Sequence, residues 1–215
     1  MYGVKADNTR ELLLLEASPV ESSNIWGSYL QKLRDRGIQQ IDLIVADGLP
    51  GFAEQARWYF PKADLQRCVV HLQRDLMRKV RPRDKEAFGA DLKEAFANFD
   101  QNSTQQEAFK KLEKVYHYWK DSYGKMLAKL VDWDFIVDYL TYINYPVQVR
   151  RMIYTTNSIE RLHRQVRKVT KTKVTFDVES NMLDLVFMII KDYEAENWQK
   201  YKLHDFKSWP KNTQT

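Results

Sequence analysis

One carboxylate, Glu160, stands inside a segment that is otherwise strongly basic. Residues 150–173 contain eight lysines and arginines and one acid, a local net charge of +7 in a chain whose total is +5. A carboxylate can hold a divalent metal ion, and the bases around it can bind a polyanion. The segment therefore predicts a metal-holding acid beside a nucleic acid.

Helical spacing divides this segment into two faces. At about 100° per residue, an apolar stripe lies on one face, and the acid and the bases share the adjoining face. The stripe is Ile159, Leu162, Val166 and Val169, and the adjoining face is Glu160, His163, Arg164, Arg167 and Lys171. Two structural interpretations stay open beside the functional one. Asn157 and Glu160 fit a helix cap with a reciprocal glutamate, and a basic helix face is often only solvated.

A second candidate acid, Asp47, follows the nearly continuous apolar run of residues 41–46. Such a run is typical of a buried parallel strand, and ligands bind at the carboxyl ends of strands in open α/β sheets. A carboxylate there can hold Mg²⁺ together with water and phosphate oxygens. The alternative is that Asp47 caps the helix expected after Gly48.

Cys68 and His71 have the spacing of half a zinc site. A structural zinc ion needs four ligands, and the chain has one cysteine and three further, scattered histidines. We therefore expect Cys68 to pack near the sheet and His71 to lie at the start of the following helix. The sequence has no glycine-rich phosphate loop and no nucleophile elbow.

Composition indicates a folded protein in a reducing compartment. The chain has 215 residues, 44% of them hydrophobic and 13% aromatic, with 7 glycines and 6 prolines. A single cysteine excludes an internal disulfide. No signal peptide pattern opens the sequence, and the longest apolar run, residues 182–190, is too short to span a bilayer. These features predict a cytoplasmic protein that does not engage a membrane.

The first 80 residues have an α/β pattern. Two short strands, residues 2–6 and 11–17, flank the turn signal at residues 7–9 and predict a hairpin. Five further elements follow the hairpin. They are a helix from Ser22 or Ser23 to near Gly37, the strand before Asp47, a second helix, a strand over residues 64–70 and a basic helix through residue 81.

Residues 81–148 have a purely helical pattern. Aromatic and aliphatic side chains recur at helical spacing, with a cap at Ser103, a stop near Gly124 and a third helix over residues 125–139. These aromatics are interpreted as core. Residues 149–215 then hold the Glu160 helix and a final helix over residues 180–199 that is apolar on most sides and is expected to be buried.

Three ordered motifs carry a resemblance to the mutator-type transposases of bacterial insertion sequences, a branch of the DDE transposases. Val45-Ala-Asp47-Gly-Leu-Pro-Gly51-Phe resembles the second-aspartate motif of that family. Phe60-Pro-Lys-Ala-Asp-Leu-Gln-Arg-Cys68-Val-Val-His71-Leu-Gln-Arg resembles its Cys-x-x-His signature. Tyr154-Thr-Thr-Asn157-Ser-Ile-Glu160-Arg-Leu-His-Arg-Gln-Val-Arg-Lys-Val-Thr-Lys resembles its glutamate helix.

The resemblance implies an α/β fold with an RNase H-like core, a mixed sheet flanked by helices, that an all-α insertion interrupts. Residues 1–80 would form a partial core, residues 81–148 the insertion, and residues 149–215 the helices that carry the glutamate. It also implies strand nicking and strand transfer by a two-metal site, in which Asp47 and Glu160 hold Mg²⁺ or Mn²⁺. Cys68 and His71 would be signature residues near the site and not metal ligands.

The partners implied by the resemblance are the insertion-sequence ends and the target DNA, with a homo-oligomer as the intact enzyme. DNA-bound protein would be associated with the nucleoid. The residues expected to bind DNA phosphates are Arg161, Arg164, Arg167, Lys168, Lys171 and Lys173.

One departure from the family pattern bears on activity. Family members carry a first aspartate on a strand before the hairpin, and this chain begins at the hairpin; Asp7, in the turn, does not match that motif. The expectation is an N-terminally truncated transposase whose sheet lacks its first strand and which is inactive alone. The alternative is a non-catalytic DNA-binding remnant, or a dead subunit of an intact transposase.

Overall fold

Two pairs of short strands and a larger set of helices form the part of the chain that can be described. The computed structural model describes residues 1–5, 7–16, 22–170 and 179–200, without the side chains of residues 157, 158, 169 and 179–181. These residues divide into two units. The first contains residues 1–40, 50–61 and 157–200, and the second contains residues 41–49 and 62–156.

The chain is a mixed α/β protein in which helix predominates, as the sequence indicated. The strands are β1 (Tyr2–Val4), β2 (Arg10–Leu12), β3 (Leu43–Ala46) and β4 (Asp64–Arg67). The helices are α1 (Ser23–Asp35), α2 (Phe52–Tyr59), α3 (Val69–Lys79), α4 (Lys85–Ala95), α5 (Gln105–Leu127), α6 (Trp133–Leu140), α7 (Val147–Ile153), α8 (Asn157–Thr170) and α9 (Glu179–Tyr193). Short 3₁₀ turns follow α3, α5 and α6, and a π turn, Glu194–Trp198, follows α9.

The predicted hairpin is confirmed, with shorter strands than expected. β1 and β2 pair antiparallel, with Tyr2 opposite Leu12. The turn is held by Asp7, whose Oδ1 accepts hydrogen bonds from the backbone N–H of Thr9 at 3.0 Å and from its hydroxyl at 2.6 Å. Asn8 has a φ of 66°, a left-handed conformation that asparagine tolerates better than most residues.

In the first unit, the apolar stripe of α8 packs against α9 and the π turn. Leu162 is buried together with Ile190 and Trp198, and Val166 lies at the edge of this cluster. The predicted stripe is thus confirmed at Leu162 and Val166. The expectation that the last helix is buried is wrong on one side of α9, because Phe187 is 48% exposed and Met188 is 63% exposed.

In the second unit, β3 and β4 pair parallel, with Leu43 opposite Asp64 and Ala46 opposite Arg67. The parallel pairing confirms the prediction, but β3 is only half-buried. The neighbouring Gln66 on β4 is fully buried. Its Oε1 accepts from the backbone N–H of Tyr142 at 2.6 Å, and its Nε2 donates to the carbonyl of Tyr139 at 3.2 Å. This side chain fastens the strand pair to the carboxyl end of α6.

The helical region has the predicted aromatic core and different helix boundaries. Phe88 on α4 is fully buried and meets Trp119 on α5 edge-on, with ring centroids 5.5 Å apart. Thr104, and not Ser103, caps α5 through a reciprocal capping box with Glu107. The helix continues past Gly124 to Leu127, with a kink at Tyr123.

The third helix of this region was predicted from residue 125, and that start is wrong. α6 begins at Trp133, because the carboxylate of Asp132 accepts a hydrogen bond from the backbone N–H of Asp134 and caps the helix there. The division into regions 1–80, 81–148 and 149–215 stays a prediction. None of the described helices is both long and apolar enough to cross a bilayer.

Candidate functional site

Asp47 lies directly after the last residue of β3, as the sequence predicted. The strand pairing ends with a hydrogen bond of 2.8 Å from the backbone N–H of Cys68 to the carbonyl of Ala46. Asp47 does not cap a helix, because α2 begins at Phe52 and its N-cap is Gly51, which has a φ of 72°. The alternative of a capping role for Asp47 is therefore wrong, and its carboxylate has other partners.

Three side chains meet at the Oδ1 atom of Asp47 or close to it. The hydroxyl of Thr156 donates to Oδ1 at 2.8 Å, and Nδ1 of His71 lies 3.0 Å from the same atom. The Thr156 oxygen is also 3.4 Å from the Sγ of Cys68 and 3.4 Å from Nδ1 of His71. A hydroxyl has one hydrogen to give, and the short contact to a carboxylate is the strongest of these. We call these four residues the Asp47 cluster.

The first turn of α3 supplies two members of the cluster. Cys68 is the N-cap of this helix, and His71 is three residues further on, so that both side chains lie on one side of the turn. The segment after α7 supplies Thr156. That segment is joined to the first turn of α3 by a hydrogen bond of 3.1 Å from the backbone N–H of Val69 to the carbonyl of Tyr154.

The cluster has a buried floor and an open side. Cys68 is fully buried and Thr156 is 6% exposed. The side chains of Asp47 and His71 are 38% and 31% exposed. A carboxylate and an imidazole are therefore presented to solvent, while the thiol is enclosed next to two threonine hydroxyls, those of Thr156 and, at 4.0 Å, Thr155.

The possible metal donors at the Asp47 cluster differ in the ions that they suit. Among the described residues, the partners of its carboxylate use Oδ1, which leaves Oδ2 for a ligand. One ligand atom each from Asp47, Cys68 and His71 lie within 4.8 Å of one another. Mg²⁺ and Mn²⁺ select oxygen ligands, so that only the carboxylate of these three suits them. Thiolate and imidazole are ligands that Zn²⁺ prefers.

The second predicted site segment is α8. Glu160 is half-buried in its first turn, and the basic residues Arg161, Arg164, Arg167 and Lys168 are exposed. This confirms that the helix shows its bases away from the buried Leu162. Glu160 belongs to the first unit and Asp47 to the second. Lys171 and Lys173 lie outside the described residues, as does the side chain of Asn157 on which the capping interpretation depends.

Arg150, which counts toward the local charge of +7, has a structural role. It is 6% exposed and donates to four backbone carbonyls. These are the carbonyls of Tyr145 at 2.7 Å, Phe99 at 3.0 Å, Asp100 at 2.8 Å and Ile143 at 2.8 Å. Burial lowers the pKa of this guanidinium from its usual value. Arg150 lies on α7 and its charge is directed inward, so that it adds nothing to the exposed face of α8.

Thr156 is the residue of this site that sequence reasoning missed. It stands in the stretch Tyr154-Thr-Thr-Asn157 that precedes α8, where a polar residue is typical of a helix start. The position of Thr156 in the sequence does not indicate that its hydroxyl bonds to a carboxylate 109 positions earlier. The available signal was that two consecutive threonines stand between α7 and α8, within the glutamate motif.

Comparison with known proteins defines the class of protein. Residues 1–201 match the model of the family described as transposase, Mutator family. The chain therefore belongs to the mutator family of transposases.

Relatives from several bacteria share this sequence pattern. The chain is 31% identical over 198 residues to the transposase for insertion sequence element IS905 of Lactococcus lactis, which is 92% of this chain and 49% of that protein. It is 31% identical over 180 residues to the transposase for insertion sequence element IS1201 of Lactobacillus helveticus, 84% of this chain and 47% of the relative. The transposase for IS256 in transposon Tn4001 of Staphylococcus aureus is 25% identical over 198 residues, 90% of this chain and 48% of its own length. The chain thus spans about half the length of these relatives.

Proposed function

We propose that this chain forms part of the catalytic region of a DNA transposase that nicks DNA strands and transfers them with divalent metal ions. The observation that carries the proposal is the placement of Asp47. Its carboxylate follows a parallel strand, is fixed at Oδ1 by Thr156 and His71, and is partly open to solvent. The chain belongs to a family whose relatives are named as transposases of insertion sequences, and this membership supports a catalytic role for Asp47.

In this proposal Asp47 and Glu160 hold two Mg²⁺ or Mn²⁺ ions. When bound, the ions supply activation of an attacking hydroxyl and stabilisation of the leaving oxygen at a phosphodiester. We further propose that the hairpin, β3 and β4 belong to an RNase H-like core. The hairpin followed by two parallel strands, whose connection contains α2, supports this assignment.

The residues around Asp47 have positioning roles in this proposal. Thr156 and His71 restrain rotation of the carboxylate, so that Oδ2 is presented in one direction. Preorganisation of this kind lowers the cost of aligning reacting groups. Cys68 is buried against the threonine hydroxyls and packs the floor of the site.

The exposed bases of α8 hold the DNA backbone in this proposal. Arg161, Arg164, Arg167 and Lys168 are each exposed and lie on the same helix as Glu160. Contacts of arginine and lysine with phosphates position DNA without reading its sequence. We extend the same role to Lys171 and Lys173.

The experiment that tests the proposal is the nicking of supercoiled plasmid DNA in the presence of Mn²⁺. Asp47→Asn and Glu160→Gln should each abolish nicking and leave DNA binding in place, because each removes one carboxylate charge and keeps the shape. Asp121→Asn and Glu196→Gln are matched controls, since both acids are exposed in the same two units. Nicking that survives Asp47→Asn would exclude the catalytic role.

A second candidate function is DNA binding without catalysis. The exposed basic residues of α8 favour it, because they do not depend on the Asp47 cluster. Charge reversal at Arg164 and Arg167 should weaken DNA binding under both candidates. DNA binding by the native chain with neither Mn²⁺ binding at Asp47 nor nicking would favour this second function, whereas a catalytic region that is inactive alone should still bind Mn²⁺ at Asp47.

A further inference from the structure

A cavity of about 320 Å³ opens in the second unit next to the Asp47 cluster. This volume is at the lower end of the range of small-ligand sites. His71 belongs both to the cavity wall and to the cluster, and Gly48, the residue after Asp47, also lines the cavity. A Cβ atom at Gly48 would lie 3.0 Å from the hydroxyl of Tyr139, which also lines the cavity, so glycine permits this close approach.

The charges that line this cavity are mostly positive. Four cations lie in its wall, from β4, α3, α5 and the 3₁₀ turn after α5: Arg67, Lys79, Lys125 and Lys129. Asp75 is the acid in the wall, and its Oδ1 is 3.1 Å from Nη1 of Arg78. The cavity therefore carries a net positive charge, which favours an anion.

Two of the cations lie near the same aromatic ring. The guanidinium of Arg67 lies 5.8 Å from the ring centroid of Phe135, and Nζ of Lys129 lies 5.2 Å from the same centroid. Arg67 also forms an ion pair with Asp138, from Nε to Oδ2 at 3.4 Å. Asp138 offsets the charge of Arg67, and an anion in the cavity would be attracted by Arg67 and the three lysines together.

We propose that this cavity binds a phosphate group of the DNA strand that reacts at Asp47. The inference rests on the proposed function, because it assigns the phosphate next to the reacting phosphodiester to a site that shares His71 with the Asp47 cluster. Arg67 offers planar, paired donors to phosphate oxygens, and the lysines offer point charges. The bases of α8 belong to the other unit and form a separate set of phosphate contacts.

The proposal gives the helical region a function beyond packing. Lys125 lies in the last turn of α5, Lys129 follows in the 3₁₀ turn, and Phe135 lies on α6. These elements fall within residues 81–148, which the sequence treats as a helical insertion with an aromatic core. In this proposal the region supplies DNA-binding side chains to the cavity.

The test compares two double variants of the full chain. Lys125→Gln with Lys129→Gln removes two cavity charges, four residues apart. Lys110→Gln with Lys114→Gln removes two exposed charges at the same spacing on α5 and is the matched control. Binding of a fluorescent duplex oligonucleotide is measured over a range of salt concentrations without metal, and circular dichroism checks the fold.

The expected result is a weaker and less salt-dependent complex for the cavity variant only. Each lost phosphate contact should reduce the slope of log affinity against log salt by about 0.9, and affinity at 0.1 M salt should fall on the order of tenfold for each contact. Unchanged affinity and slope in the cavity variant would overturn the proposal. An equal loss in both variants would also overturn it, because the effect would then reflect total charge.

Two further measurements distinguish this proposal from a site for free phosphate and from the proposed function itself. Inorganic phosphate and pyrophosphate are added as competitors, and stronger binding of these ions than of DNA would identify a site for free phosphate and overturn the assignment to a DNA strand. Because DNA binding is measured without metal, a chain that does not nick DNA still tests the cavity. If charge reversal on α8 weakens binding and the cavity variant does not, DNA binding stands and this inference fails.

Discussion

Thr156 donates a 2.8 Å hydrogen bond to Oδ1 of Asp47, across 109 positions of sequence. The bond joins the end of a parallel strand to the short segment that precedes the glutamate helix in the chain. One hydroxyl thereby connects two of the three motifs that define the family resemblance. The remaining motif, the Cys-x-x-His signature, supplies Cys68 and His71 to the same cluster.

Replacing Thr156 with valine should loosen Asp47. Valine keeps the shape and removes the donor, so we expect weaker Mn²⁺ binding and slower nicking. The free energy of unfolding should fall by about 0.5–1.5 kcal/mol, because a carboxylate that is partly open to solvent recovers a water in place of the lost donor. Titration with Mn²⁺, followed by electron paramagnetic resonance, measures the first effect, and urea unfolding measures the second.

Thr141→Val is the control for this substitution. Thr141 is buried in the same unit, and its hydroxyl bonds to the carbonyl of Val137 one helical turn earlier. The Thr141→Val variant should be less stable than the native chain and should bind Mn²⁺ with the same affinity. Thr156→Ser should behave like the native chain. Equal Mn²⁺ affinity in Thr156→Val and the native chain would show that the bond does not position Asp47.

Cobalt should report whether Cys68 is a metal ligand. We expect Co²⁺ to bind at Asp47 without a thiolate-to-cobalt charge-transfer band, because the thiol is fully buried next to the threonine hydroxyls. The chain has one cysteine, so any such band would come from Cys68 alone. Its appearance, and its loss in Cys68→Ser, would show instead a site that uses sulfur and imidazole ligands.

Arg150→Lys should be strongly destabilising. A lysine places all its donors on one nitrogen and cannot reach the four carbonyls that Nε, Nη1 and Nη2 satisfy. Buried carbonyls without a donor cost about 1–3 kcal/mol each, and partial rescue by the ammonium leaves a loss of roughly 3–5 kcal/mol. The neighbouring exposed residue gives the control, Arg151→Lys, which should change stability by less than about 0.5 kcal/mol.

Alkaline pH should lower the free energy of unfolding through the buried tyrosines of the second unit. Burial raises the pKa of Tyr154 to about 12 from 10.0. Burial, with the neighbouring Asp64 carboxylate as a lesser cause, also raises the pKa of Tyr145. A phenol whose pKa is raised in the folded state contributes stability that is complete below pH 10, the unfolded value, and is lost as pH rises toward the folded value.

The measurement is the free energy of urea unfolding as a function of pH. Tyr154→Phe should flatten the decline between pH 10 and about 12, because the phenol that releases its proton on unfolding is gone. Tyr118→Phe is the control, since Tyr118 is 76% exposed in the folded chain. A decline that is as steep in Tyr154→Phe as in the native chain would contradict the prediction.

Local patterns were enough to predict much of the fold. The hairpin followed from the turn residues at positions 7–9, where Thr9 donates two hydrogen bonds to Asp7 within the turn itself. The buried stripe of α8 followed from helical spacing alone. Boundaries were harder, since two candidate caps lay side by side at Ser103 and Thr104 and only a reciprocal glutamate decides between them.

Prediction was weakest where distant residues meet. Asp47 was singled out by its place after a strand and Cys68 by its spacing from His71. The Thr156 hydroxyl that contacts both comes from a segment whose sequence looks like an ordinary helix start. Arg150 was counted in the local charge of +7, and only the positions of the carbonyls around it show that its charge is buried. The exposure of Phe187 on α9 likewise depends on which side of the helix receives a neighbour.

The long sequence separation within the Asp47 cluster also sets when the site can form during synthesis. A ribosome completes the strand that ends at Ala46 and the turn that begins at Cys68 long before Thr156 is added. Contacts between distant positions form late in folding, because the intervening chain must be ordered first. A nascent chain therefore has Asp47 without its Thr156 contact until residue 156 has been added. The complete Asp47 cluster can form only after the helices between residues 85 and 153 have been synthesised.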